Sequence, residues 1–243
     1  SGYSDMAIGL SRLFGVVLPL NFASPYKAVN IIEFWRRWHM TLSRFLRDYL
    51  YIALGGNRRG PARRHLNILT TMLLGGLWHG AGWTFLAWGG LHGLMLAGNH
   101  AWHALRRRLG QDPGAPLPLG LHGASVVATF LAVTIAWVFF RAPDLETALG
   151  IVAAMLGVQG LGAGGVVSPA AMAWIGALML IAWFAPNTQE IMRDYRPALD
   201  LPRMPVSRLT WRPTGALAAL MAVAGLITLI NLQRHSIFLY FRF

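Results

Sequence analysis

The chain has 243 residues, 55% of them hydrophobic and only 12% charged, where a soluble domain carries roughly 25% charged residues. With a mean hydropathy of +0.47 this points to a polytopic membrane protein. The net charge of +12 lies in short clusters between apolar runs, which is how cytoplasmic loops look and argues against a nucleic-acid partner. Having no cysteine excludes disulfides, thiolate metal sites and a cysteine nucleophile.

Taken in chain order, Ala7 to Leu20 is too short to span comfortably and is interrupted by Arg12, so it reads as the end of a bundle helix. Residues Ile31 to Ile52 read as one amphipathic helix of interfacial type. At 100° per residue Ile31, Trp35, Trp38, Leu42, Phe45, Leu46 and Tyr49 share a face, opposite Glu33, Arg36, Arg37, Arg44 and Arg47. His39 falls at the edge of the apolar face, pointing towards protein; on such a helix, packing or snorkelling is the commoner explanation than function. A turn carrying four arginines follows in "LGGNRRGPARRH".

No charge occurs from Leu66 to Gly98. Straight, that run would extend about 50 Å against a hydrocarbon core of about 30 Å. Both flanks are basic, Arg58, Arg59, Arg63 and Arg64 before and Arg106, Arg107 and Arg108 after, so the run should enter and return from the cytoplasm; a single long, strongly tilted helix is the alternative. Gly75, Gly76, Gly80 and Gly82 provide the place to bend, although glycines also permit close helix packing. His79 then sits inside the membrane, near the turn and beside a cavity. An ionisable side chain at that depth is a functional hypothesis by default. A neutral imidazole there can take a proton from a hydroxyl as a general base; the plainer reading is a structural histidine bonded to a backbone carbonyl. His92 reads as a helix-packing residue. His100 and His103 read as part of a solvated membrane edge, not a metal site, which would need a third ligand.

Leu119 to Phe140, Ala170 to Phe184 and Gly215 to Leu232 meet the spanning test, the second being short and expected to begin before Pro169. Residues 142–167 hold Asp144 and Glu146 but no Lys or Arg and suit the outside. The arginine-rich stretches 57–65, 104–110 and 193–212 suit the cytoplasm. The fold class is therefore all-α: a polytopic transmembrane helical bundle with an interfacial amphipathic helix and a Gly-rich membrane-embedded segment carrying His79.

The stretches "SGYSDMAIGL", "IIEFWRRWHMTLSRFLRDYLYIALGGNRRG", "GLWHGAGWTFLAWGGLHG", "WVFFRAPDLETAL", "PNTQEIM" and "FLYFRF" together resemble the membrane-bound O-acyltransferase family. The branch is that of bacterial alginate O-acetyltransferase membrane subunits, with the D-alanyl transfer protein of teichoic acids as a cousin. The resemblance runs over residues 1–243 as a single domain. It implies the C-terminal part of a longer family protein, whose further helices precede the first of these motifs.

The resemblance implies a multi-pass acyltransferase of the bacterial cytoplasmic (inner) membrane, acetylating an exported polysaccharide such as alginate. It makes His79 and His39 the catalytic pair, His79 as base and His39 orienting substrate or stabilising the oxyanion. Trp78, Trp38 and Asn57 are the implied substrate-binding residues, the tryptophans shaping a tunnel wall. No tightly bound cofactor and no metal are expected. The acyl donor is an acetyl thioester, either acetyl-CoA or a carrier, and the partners are the lipid bilayer, that donor and periplasmic polysaccharide-acetylation proteins. Rival readings are a conduit that passes acyl groups to a periplasmic transferase, and a haem-binding or channel protein with His39 and His79 as axial ligands.

Overall fold

A computed structural model describes residues 2–158, 160, 168–199 and 209–231, and the described residues contain helices and no strand. The terminal "FLYFRF" motif lies outside them. Helix α1, Gly2–Leu13, ends earlier than Leu20: Gly15 turns the chain at φ +73°, and the segment beyond runs extended to an isolated bridge between Pro19 and Leu199.

Residues 31–52 correct the expectation of one continuous helix. They form α2 (Ile31–Arg37), α3 (Met40–Phe45) and a turn of π-helix over Leu46–Tyr51. The start of α2 is fixed by a reciprocal cap: Asn30 Oδ1 accepts from the Glu33 N–H at 2.9 Å, and Glu33 Oε2 accepts from the Val29 N–H at 3.0 Å. Glu33 also accepts from Arg37 at 2.6 Å, and Arg37 reaches the Ala23 carbonyl. The helix stops because Trp38 is extended and His39 takes a left-handed conformation at φ +43°. Asn21 then holds the start of α3. Its carbonyl accepts from the Met40 N–H, and its Oδ1 from the N–H and hydroxyl of Thr41. The break rotates the second half of the segment, so Ile31, Trp35 and Leu46 are buried whereas Phe45 and Tyr49 are exposed.

The uncharged run forms a helical hairpin: α4 (Gly60–His79) and α5 (Trp83–Arg108) meet through Gly80–Gly82. Gly75 and Gly76, read as part of the bend, instead lie inside α4. Gly76 sits against α5, where a Cβ would come 2.3 Å from the Phe85 carbonyl oxygen; one on Gly89 would come 2.3 Å from that of Met72. The two helices therefore touch backbone to backbone, the small-residue packing that suits an apolar medium. At the open end, the Asn67 amide donates to the Gly56 carbonyl at 3.0 Å and ties the preceding turn to α4.

Helix α6 (Leu119–Arg141) packs on α5 and is the described helix long and apolar enough to cross a bilayer, with mean hydropathy 2.1 over its best window. Residues 142–167, read as a loop, carry α7 (Leu145–Met155), capped by Asp144. Helix α8 (Pro169–Phe184) begins at Pro169 with Ser168 as its cap, not before it, and its 16 residues rise about 24 Å. A single turn, α9 (Thr188–Ile191), precedes α10 (Gly215–Asn231); Leu232 lies outside the described residues. Neither α8 nor α10 buries a residue. The main core joins α2, α4, α5, α6 and α7 through Phe34, Trp35, Met72, Trp88, Val133 and Ala148, among others.

Candidate functional site

His79 is the last residue of α4, 6% exposed, because the chain must leave the helix at Gly80 to return along α5. Three rings surround its imidazole: Trp78 at 4.9 Å, Trp88 at 5.3 Å and Phe140 at 5.1 Å, all edge-on. Trp78 comes from its own helix, Trp88 from the returning arm and Phe140 from α6. No described residue hydrogen-bonds the imidazole, so the backbone-carbonyl partner of a structural histidine is not found among them. The ring is held by packing.

His39, forty residues earlier, lies close enough to His79 for their charges to interact. Its left-handed backbone is what turns the side chain inward; Nδ1 is buried and has no hydrogen-bond partner among the described residues, and Phe22 lies 6.1 Å away. Burial pushes the His39 imidazole below its usual range, so it is neutral at physiological pH. The two imidazoles thus stand on the ends of separate helices.

The implied substrate-binding residues are not all gathered here. Trp78 is 65% exposed, with one edge on His79. Trp38 is half-buried and wedged among Phe22 (4.9 Å), Phe34 (5.6 Å) and Trp137 (5.2 Å), part of the core wall. Asn57 is exposed, accepts from the Tyr51 hydroxyl and lines a separate cavity.

That cavity, about 1050 Å³, was not foreseen beside the arginine-rich end of the hairpin. Arg36 from α2, Arg64 from α4, and His100, His103 and Arg107 from α5 all face it. Arg36 and Arg64 are felt by both histidines, and Arg107 by His103. His100 and His103 therefore belong to a basic chamber and not to a plain membrane edge. Its inner wall includes Trp35 and Met72 of the core. The cavity expected directly beside His79 is not one of the two large ones: His79 lines neither this chamber nor the adjoining one of about 960 Å³.

Sequence reasoning also missed Trp35 and Trp88 and read His92 as packing alone. His92 is fully buried, 4.9 Å from Trp88 and 5.2 Å from Trp35, whose indole N–H donates to His92 Nδ1 at 3.2 Å. The available signal was the i,i+4 spacing of Trp88 and His92, which places both on one face of α5.

Residues 1–115 match the family model described as MBOAT, the membrane-bound O-acyltransferase family. A probable alginate O-acetylase of Pseudomonas putida is 39% identical over the whole of this chain and 50% of that protein. A peptidoglycan O-acetyltransferase of Helicobacter pylori is 49% identical over 66% of this chain and 29% of its own length. A teichoic acid D-alanyltransferase of Streptococcus thermophilus is 34% identical over 46% of the chain and 29% of its own. The chain thus spans about half the length of the curated relative it matches end to end.

Proposed function

The chain belongs to the membrane-bound O-acyltransferase family, and from that premise we propose that it is the part of a membrane-embedded O-acetyltransferase that holds the catalytic base. The observation that carries this reading is His79: buried, caged by Trp78, Trp88 and Phe140, and free of any hydrogen bond to a described residue. A neutral imidazole carries one N–H and one nitrogen with a free lone pair. One held only by aromatic edges keeps a lone pair for an incoming hydroxyl.

In this mechanism a hydroxyl of the acceptor gives its proton to His79 and attacks the carbonyl carbon of an acetyl thioester. The thiolate leaves and takes the proton back from the imidazolium. His39, neutral and within electrostatic reach, orients the acceptor. The acceptor is an exported polysaccharide, alginate by analogy with the Pseudomonas relative's name. The basic chamber suits a phosphate-rich donor such as acetyl-CoA or a phosphopantetheine carrier, because guanidinium groups bind phosphate oxygens strongly.

The exposed apolar surfaces of α6, α8 and α10 support a multi-pass placement in the bacterial cytoplasmic membrane, with lipid covering what protein does not. The arginine-bearing ends of α4 and α5 then face the cytoplasm. Periplasmic acetylation proteins are the expected partners.

The test is His79→Gln in the full-length protein. Loss of a general base lowers the rate roughly 10²- to 10⁴-fold, with membrane abundance unchanged. Acetyl incorporation into polymer, measured on protein of matched abundance, checks it. Near-normal transfer by the variant would replace this reading with the conduit.

A further inference from the structure

Trp88 and His92 stand one turn apart on α5, 4% and 0% exposed. An indole nitrogen only donates, so the bond from Trp35 makes Nδ1 of His92 the acceptor and leaves its ring proton on Nε2. Two buried N–H groups, Nε1 of Trp88 and Nε2 of His92, therefore belong to rings whose centres are 4.9 Å apart in the core. Neither has a hydrogen-bond acceptor among the described residues. Buried donors are nearly always bonded, and each exception asks for a reason.

Position supplies the reason. The Trp88 ring packs edge-on against both His79, at 5.3 Å, and His92, at 4.9 Å. Trp35, which fixes the His92 tautomer, is also part of the chamber wall and lies 6.0 Å from Trp88. Trp88 thus packs against both His79 and Trp35, and of these it is Trp35 that reaches the chamber wall.

We propose that the indole N–H of Trp88, supported by the Nε2–H of His92, binds the carbonyl oxygen of the acyl thioester, with Trp35 as the positioning residue; this rests on the assignment of His79 as base. When the hydroxyl oxygen bonds to the carbonyl carbon, His79 takes the hydroxyl proton and the carbonyl π electrons move onto oxygen. The two N–H groups stabilise that oxyanion. As it collapses, the carbon–sulfur bond breaks and the thiolate recovers the proton from His79. Fixed donors in a dry site suit this task because they need no reorientation as charge develops.

The experiment uses the full-length protein and compares Trp88→Phe, Trp35→Phe and His79→Gln at matched abundance. Trp88→Phe keeps an aromatic ring against His79 but removes the donor; kcat should fall about 100-fold or more, with KM for the acetyl donor nearly constant. Trp35→Phe leaves Trp88 in place but frees His92 to change tautomer, and kcat should fall about tenfold with KM for the acetyl donor nearly constant. In parallel, wild-type protein labelled with 5-fluorotryptophan should show the Trp88 fluorine signal move when a non-reactive thioether analogue of acetyl-CoA is added. That measurement decides the matter if Trp88→Phe fails to fold. A folded Trp88→Phe protein with normal kcat, or an unmoved signal under saturating analogue, overturns the inference. An active His79→Gln protein instead overturns the assignment beneath it.

Discussion

His79 and His39 both end up at breaks between helices, but the two breaks are built differently. After His79 the chain turns through Gly80, Ala81 and Gly82, residues that ask nothing of the backbone, and the histidine itself stays helical. At the other break the histidine is the turn: His39 carries φ +43°, a conformation that costs a residue with a Cβ about 1–2 kcal/mol. Asn21 compensates by bonding the next two residues. A glycine-served turn can be read from sequence; a turn in which a bulky residue absorbs the strain cannot. Strain held at a functional position, with the surroundings enforcing it, fits a side chain that must point one way.

The comparison breaks first at the hairpin. Gly76→Val or Gly89→Val would drive a side chain into the facing backbone, Phe85 or Met72, where nothing flexible can yield. Overpacking of this kind costs about 1–3 kcal/mol when the structure can relax and more when it cannot. The expected outcome is loss of monodisperse protein on size-exclusion chromatography in detergent. A normal elution profile with normal transfer would mean that the helices are not in contact as described.

A smaller effect sharpens the contrast at the other break. His39→Gly should keep or raise thermal stability, because glycine adopts the left-handed region without penalty. His39→Ala keeps the strained backbone and gains nothing. Polymer acetylation should fall in both variants. Should His39→Gly transfer acetyl groups at the wild-type rate, the imidazole has no part in the reaction and serves only the turn.

The smallest effect lies at the start of α7. The Thr147 backbone N–H, donating to Asp144 Oδ1 at 2.7 Å, holds that carboxyl below the usual carboxylate range. A depressed folded-state value adds stability above the ordinary aspartate value, lost as pH falls through the folded one. Melting temperature should therefore decline slightly as pH drops below about 4, and Asp144→Asn should remove that slope while leaving transfer at neutral pH unchanged.

Length and flanking charge pointed to the hairpin, because 33 uncharged residues between two arginine clusters are too many for one upright crossing; they left a single strongly tilted helix open, which the fold of α4 against α5 rules out. The sequence by itself determined which histidine is buried at the turn, and the long apolar helix α6. It did not separate the glycines that bend the chain from those that let helices touch. Gly75 faces Leu46 and Gly76 the Phe85 carbonyl, whereas Gly80 and Gly82 lie at the bend against the Phe85 ring, and those neighbours come from other segments. Nor could periodicity detect the break at His39: Asn21, eighteen residues away, stabilises it, and one turned residue re-aims every side chain that follows. Only the tertiary structure decided that Trp35, from a third helix, fixes the tautomer of His92, and that arginines from α2, α4 and α5 share one chamber. Local pattern records what a residue prefers, whereas contacts between distant segments decide which polar groups find partners and which are left for a substrate.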